Sequence, residues 1–226
     1  VTAVRQDDCG DYWVISLVDN DNSTNGDYTD SSYDSLNWES PTNWGSTFYA
    51  YRVSGSGVDL NPVKSKVPVD TDEIKGYLKV SPEGDFIALA NYDVNRSINA
   101  DAYMFTLDLT SGKIGENDDS RLNLLNNQRG LKLFSDSEIS TLGAPYGVEF
   151  DATSRFLYLS LHDLNSGRWN SMDGDDEIRI FQFDLQAPDI AASKTEIHYE
   201  RGNVYRPGLQ LSYGNQIYVT VPVSYT

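Results

Sequence analysis

The feature that most constrains this chain is a strand–turn–strand unit that occurs more than once. One copy, Tyr146-Gly-Val-Glu-Phe-Asp-Ala-Thr-Ser-Arg-Phe-Leu-Tyr-Leu-Ser160, sets Val148 and Phe150 among polar neighbours, the two-residue period of a strand with one apolar face. Asp151-Ala-Thr-Ser154 is a polar break of hairpin-loop length. Residues 156–159 then form a short apolar run rich in strand formers, suited to the middle of a sheet. A second copy, Gly76-Tyr-Leu-Lys-Val-Ser-Pro-Glu-Gly-Asp-Phe-Ile-Ala-Leu-Ala90, superposes on the first with Ser81 on Asp151 and Phe86 on Phe156, an offset of 151 − 81 = 70. A third, Pro207-Gly-Leu-Gln-Leu-Ser-Tyr-Gly-Asn-Gln-Ile-Tyr-Val219, is one residue shorter in its turn. Aromatic strand patterns follow at residues 103–109 and 178–185. Self-similarity at a spacing a little above the four-strand-blade period predicts an all-β chain, a β-propeller whose loops carry insertions.

The expected architecture is a partial β-propeller of about three complete four-stranded blades and part of a fourth. The blades fall at residues 1–70, 77–134, 146–200 and 207–226 of a single segment spanning 1–226. In the first, strand patterns occupy residues 1–6, 12–18, 47–53 and 62–67, with a break at Ser54-Gly-Ser-Gly57. The second uses residues 78–80, 86–90 and 103–109, a hairpin at 108–114 in which Gly112 supplies positive φ, and an outer strand within 122–134. That last stretch also admits a short helix, and Ser135-Asp-Ser-Glu138 reads as the cap of another. The third blade is assigned to residues 148–150, 156–162, 178–185 and 196–200.

Long polar segments at residues 19–43, 91–101 and 163–176 each fall between the second and third strand of a blade. Loops at that point of successive blades gather on one rim, and long loops in compact domains are frequently functional. Trp38, Trp44 and Trp169, with Tyr33, lie in or beside these insertions and are candidate ligand-binding aromatics, able to stack on a sugar or anchor a protein. The competing account is that each covers the edge of its own blade.

A formal net charge of −17 leaves no basic surface to neutralise phosphates and argues against nucleic-acid binding. No stretch approaches the apolar length of a membrane span, so membrane insertion is not expected. No secretory signal opens the chain, and strand pattern reaches both ends. The expectation is therefore a piece of a larger propeller, with the remaining blades of the same polypeptide as a partner. Cys9 is the sole cysteine, which supports neither an internal disulfide framework nor a thiolate metal site; it either pairs outside this segment or is free.

Asp21-Asn-Ser-Thr-Asn-Gly-Asp27 resembles the start of a calcium loop, with Asp21, Ser23, Asn25 and Asp27 as candidate Ca²⁺ ligands and glycine at the sixth place. Ser32 stands where a bidentate acid belongs, and moving the frame to Asp19 brings Asp30 there but loses the glycine. A solvated Asn/Asp turn cluster is the alternative. His162 is followed by Asp163 at a strand end, yet no serine or cysteine nucleophile sits in a recognisable turn motif, and a structural histidine is the simpler account. Lys79, Glu149 and Gln210 occupy equivalent places on the innermost strands and do not look like a shared metal cage.

With these residues in place, the chain resembles the N-terminal propeller of large surface proteins of Bacteroidota, the gliding-motility-associated proteins exported by the type IX secretion system with a type B C-terminal sorting domain. The resemblance rests on Val1-Thr-Ala-Val with Asp11-Tyr-Trp-Val-Ile15, Ser46-Thr-Phe-Tyr-Ala-Tyr51, Gly76-Tyr-Leu-Lys-Val-Ser-Pro-Glu-Gly84, Pro145-Tyr-Gly-Val-Glu-Phe150, and Ile180-Phe-Gln-Phe-Asp-Leu185 running into Ile190-Ala-Ala-Ser193. It implies a seven-bladed or similar propeller, of which this chain is the middle and later part, and export across the outer membrane to the cell surface or medium. It transfers no catalytic residue. The insertions at 19–43 and 163–176 look longer and more acidic than the family's loops.

The reading is a non-catalytic module of an exported surface protein that binds or adheres to a glycan or protein partner. Two alternatives stand beside it: a propeller-type hydrolase or lactonase with a central metal, and a structural spacer of a surface filament.

Overall fold

The computed structural model describes residues 1–6, 10–19, 46–67, 69, 76–92, 100–116, 130–163, 176–202 and 206–220. Among these, the chain forms four antiparallel sheets and one short helix. The first sheet takes β1 (Thr2–Arg5), β2 (Tyr12–Asp19) and β3 (Ser46–Ser54) in order, and both β4 (Gly57–Val58) and β5 (Val63–Val67) pair with β3. The second runs β6 (Gly76–Val80), β7 (Phe86–Asn91) and β8 (Asp101–Asp108), with β9 (Lys113–Ile114) and β10 (Leu131–Lys132) both on β8. The helix α1 (Asp136–Leu142) leads into the third sheet, β11 (Ala144–Phe150), β12 (Phe156–Asp163), β13 (Asp176–Asp184) and β14 (Thr195–Gly202). The fourth is the pair β15 (Gly208–Leu211) and β16 (Ile217–Thr220).

The sequence repeat is a repeat of hydrogen bonds. Ser81 N–H donates to Phe86 O at 2.9 Å and Phe86 N–H returns to Ser81 Oγ at 3.0 Å. Asp151 N–H donates to Phe156 O at 2.9 Å, and Phe156 N–H returns to Asp151 Oδ1 at 2.7 Å. Ser212 does the same one residue earlier, its N–H on Gln216 O at 2.8 Å and its Oγ accepting from Gln216 N–H at 3.2 Å. Each turn needs a left-handed residue three places on, and these are Gly84 (φ 80°), Ser154 (φ 53°) and Asn215 (φ 60°). Ser154 adopts it without being glycine, and its Oγ accepts Glu83 N–H at 2.9 Å, so this hydroxyl ties the turn of sheet three to that of sheet two.

The first strands of successive sheets lie side by side, β1 against β6, β6 against β11, and β11 against β15. Three apolar layers fill the spaces between sheets. Trp13, Ile15 and Phe48 meet Ile87, Leu89 and Phe105 in the first. Phe86, Ala88, Ala90 and Met104 meet Val148, Phe150, Leu159 and Phe183 in the second, and Ile178 and Ile180 meet Leu209 in the third. β7 is buried along its whole length because it has a sheet on either side, which is why its sequence is a continuous apolar run. Its alanines face sheet three, and their small volume admits the large side chains opposite.

Some details depart from the sequence reading. The break after residue 53 still contributes a short strand, β4, closed by Gly57 at φ 113°. The outer strand expected within 122–134 is only β10 at Leu131–Lys132, and residues 117–129 lie outside the described set. β11 begins at Ala144 rather than Val148, because a register shift between Pro145 and Val148 absorbs a proline that has no N–H to give the ladder. Ser135 does cap α1, its Oγ accepting Glu138 N–H while Glu138 Oε2 accepts Ser135 N–H at 2.8 Å, a full capping box. No helix among the described residues is long and apolar enough to cross a membrane.

Candidate functional site

The three insertions leave and re-enter the sheets at corresponding places: after Asp19 and before Ser46, after Asn91 and before Asp101, after Asp163 and before Asp176. The last rungs of the β2–β3, β7–β8 and β12–β13 ladders are Asp19 opposite Ser46, Asn91 opposite Asp101, and Asp163 opposite Glu177. The opposite ends of the sheets are pinned together. Trp13 Nε1, near the start of β2, donates to Leu109 O just past β8 at 2.7 Å, and Ser154 joins Glu83 between sheets two and three. All three insertions therefore start and finish at one end of the stack.

At that end the repeat brings Tyr92 and His162, related by 162 − 92 = 70, face to face. Tyr92 Oη lies 3.3 Å from His162 Nδ1, and the rings are near parallel at 20°. Both are 1% exposed. Tyr146 meets Tyr92 edge-on at 5.4 Å and Tyr77 at 5.5 Å, and the Arg206 guanidinium lies 5.3 Å from the Tyr92 ring centroid. Asp176 Oδ2 is 3.9 Å from His162 Nε2, so the carboxylate facing this imidazole comes across the β12–β13 ladder. Ser160, two residues before His162, donates its hydroxyl to Pro207 O at 2.6 Å and accepts Gly147 N–H at 2.9 Å. It links sheets three and four and is committed to that bond pair.

Asp101 opens β8 beside this cluster. Burial raises its carboxyl to about 6, and this exceeds the opposing hydrogen bonds from Lys132 and Tyr103. Lys132 Nζ sits 2.5 Å from Asp101 Oδ2 and 2.6 Å from Asp136 Oδ1, joining β8 and β10 to the first turn of α1. Burial alone pushes Lys132 down, yet its two carboxylates prevail and hold it above the ordinary lysine range. Burial also acts to raise Glu138, but the ion pair with Lys194 and the bonds from Ser135 bring it below its usual value. A Cβ on Gly143, which ends α1 at φ 109°, would lie 2.5 Å from His162 O. The helix is thus fastened over the same end of sheets two and three from which the insertions emerge.

A second polar group lies on the first strands. Lys79 Nζ is 2.7 Å from Glu149 Oε2 and 3.5 Å from Gln210 Oε1. Glu149 Oε2 also accepts Leu211 N–H at 3.0 Å, and Oε1 accepts Phe150 N–H at 3.2 Å. The three equivalent positions read from sequence converge, and their one carboxylate is neutralised by an ammonium. Among the described residues, no three His, Cys, Asp or Glu side chains are grouped to hold a metal ion.

Of the residues singled out from sequence, Trp38, Trp44, Trp169, Tyr33, Cys9 and the calcium-loop candidates Asp21, Ser23, Asn25 and Asp27 lie outside the described residues. His198 is exposed on β14, 3.5 Å from Glu200. Tyr92, Asp101, Tyr146 and Arg206 were not singled out by sequence. The 70-residue offset that aligns Tyr92 with His162 is the signal that points to the first of them.

No family model matches the chain, and no curated protein matches it. Among solved structures it is similar to an α-L-arabinofuranosidase from Lactobacillus brevis, at 8% identity and a TM-score of 0.45, covering 96% of this chain and 63% of that one. It is also similar to a xylan β-1,4-xylosidase from Bacillus halodurans, at 8% identity and a TM-score of 0.40, covering 94% and 35%. A prolyl endopeptidase matches at 16% identity and a TM-score of 0.36, covering 79% and 24%. These TM-scores are too low to assign a shared fold, and this chain spans less than two thirds of each of the three proteins.

Proposed function

We propose that the chain is a segment of a β-propeller that acts as a non-catalytic binding module of an exported surface protein, recognising a glycan or protein partner through the end where its insertions emerge. The observation that carries this reading is the shared departure point of the three insertions beside the buried Tyr92–His162 pair. Sheets whose first strands abut in succession are the arrangement that propeller blades adopt. The remaining blades of the polypeptide are the natural cover for the outward face of sheet one, where Tyr12 and Val18 are 44% exposed.

The hydrolase alternative needs a polarising metal or a free carboxylate on the first strands. Glu149, the carboxylate there, is instead held by Lys79 and Leu211, which supports the binding reading. Export to the cell surface is proposed on the sequence resemblance alone. The test is turnover of a panel of aryl glycosides, lactones and peptides by the intact chain, with Glu149→Gln, Asp101→Asn and Asp163→Asn as controls. The binding reading expects no turnover. Hydrolysis abolished by one of these carboxylate changes would overturn it.

A further inference from the structure

Asp101 is a buried carboxyl with donors on only one of its oxygens. It opens β8 opposite Asn91, at the rung where the second insertion re-enters the sheet. Its side chain is 4% exposed, and Oδ2 accepts from Lys132 Nζ at 2.5 Å and from Tyr103 Oη at 3.2 Å. Oδ1 has no hydrogen-bond partner among the described residues. An ionised oxygen kept from water without a donor is costly. The charged or titratable groups that act on this carboxyl are Lys132 on β10, Tyr103 on its own strand and Asp136 on α1.

The segment lying over it is thin. β10 adds only Leu131 and Lys132 to the ladder, opposite Met104 and Tyr103, and Leu133 N–H donates to Ala102 O at 2.9 Å. Beyond it, Phe134 meets Phe181 and Phe183 edge-on, with ring centroids 5.3 and 5.6 Å away. The helix α1 is fastened separately, through the Glu138–Lys194 ion pair and the close approach of Gly143 to His162 O. Residues 130–133 are therefore a strap between two anchored ends. Lys132 shares its ammonium between Asp101 and Asp136, whose side chain is 80% exposed, so it keeps a carboxylate partner even when it leaves Asp101.

We propose that residues 130–133 are a pH-sensitive strap: a proton on Asp101 holds it against β8, and loss of that proton loosens it. With the carboxyl neutral, the proton sits on Oδ1, Oδ2 keeps both of its donors, and no uncompensated charge is buried. With the carboxyl ionised, lifting the strap admits water to Oδ1 while Lys132 retains Asp136. The closed strap thus holds the proton more tightly than the open one, the direction in which burial raises this carboxyl from 3.8 to about 6. Closure is favoured most below the lower of these values, and that advantage is lost as pH rises through the higher. The strap lies at the end where the insertions emerge, yet it is read on the ligand-free chain and does not rest on the binding function.

The test is native-state amide exchange of the intact chain at about pH 4.5 and about pH 7.5, corrected for intrinsic rates, beside titration of the Asp101 carboxyl by carbon NMR. The Leu133 amide should be less protected than the β12–β13 ladder, and its protection should fall about twentyfold at the higher pH. Asp101→Asn should abolish that dependence. Lys132→Met removes the donor that favours ionisation and should move the midpoint up in pH. Asp136→Asn leaves the ammonium to Asp101 alone and should move it down. Leu133 protection equal to that of the β12–β13 ladder would assign its exchange to global unfolding and overturn the proposal. So would pH-independent protection, a dependence that survives Asp101→Asn, or an Asp101 carboxyl that titrates at about 4.

Discussion

Replacing Lys79 with alanine is the sharpest perturbation of the packing proposed for the first strands. The substitution removes the ammonium 2.7 Å from Glu149 Oε2 and leaves a carboxylate whose side chain is 8% exposed. Breaking a fully buried ion pair costs about 3–5 kcal/mol, because the remaining charge stays desolvated. Lys79 keeps 22% of its side chain exposed, and Leu211 and Phe150 N–H groups still serve the carboxylate. The expected cost is therefore roughly 2–3 kcal/mol. Glu149→Gln keeps an acceptor for Leu211 and removes the charge, so it should cost only about 1 kcal/mol. The double variant should be less destabilised than the sum of the singles by more than about 1 kcal/mol, since neither leaves an orphan once both are changed. Urea unfolding of the intact chain, read by tyrosine and tryptophan fluorescence, gives all three values. Additive singles with a Lys79→Ala cost under about 0.5 kcal/mol would mean that β6 and β11 do not meet at these residues, and the stacking of sheets two and three would be refuted.

Asp101 should make stability depend on pH. Its folded-state value of about 6 lies above the ordinary 3.8, so the folded protein holds a proton that the unfolded chain releases between those values. The contribution of this residue to stability is thus greatest below about pH 4 and is lost as pH rises through about 6, by on the order of 2–3 kcal/mol. Asp101→Asn should flatten that part of a pH–stability profile, and an unchanged profile would count against the assignment. Gly147→Ala places a Cβ 2.6 Å from Pro207 O and 2.8 Å from Ser160 Oγ, and should cost about 2–3 kcal/mol in thermal unfolding by forcing sheets three and four apart. Ser135→Ala should cost about 1 kcal/mol through loss of the cap on α1, and retention of full stability would show that the capping box contributes nothing.

The alternation at Val148 and Phe150, the apolar run of β7 and the polar four-residue turns were legible because each is a local pattern of period two bounded by turn residues. The repeat offset carried further than the individual strands. It placed Lys79, Glu149 and Gln210 at equivalent positions before the structure brought them within hydrogen-bonding reach. What stayed hidden depends on contacts far apart in sequence. The partnership of Asp101 with Lys132 is set by β10 pairing with β8 and by the entry of α1, and nothing near either residue announces it. Likewise, Asp163 follows His162 in sequence, but neighbours along a strand point to opposite faces, and a carboxylate that faces the imidazole is Asp176, from the next strand. The start of β11 was missed because Pro145 reads as a strand breaker until the register shift that accommodates it is seen.

The central claim is that the insertion end of the stack is a recognition surface. Its most direct test is a glycan array and a surface-protein pull-down, each run with the intact chain and with Trp38→Ala, Trp44→Ala and Trp169→Ala combined. The account predicts a defined set of ligands held by the intact chain and lost by the triple variant, with the unfolding midpoint unchanged. Ligand binding that survives the triple variant and replacement of all three insertions by short linkers would contradict it.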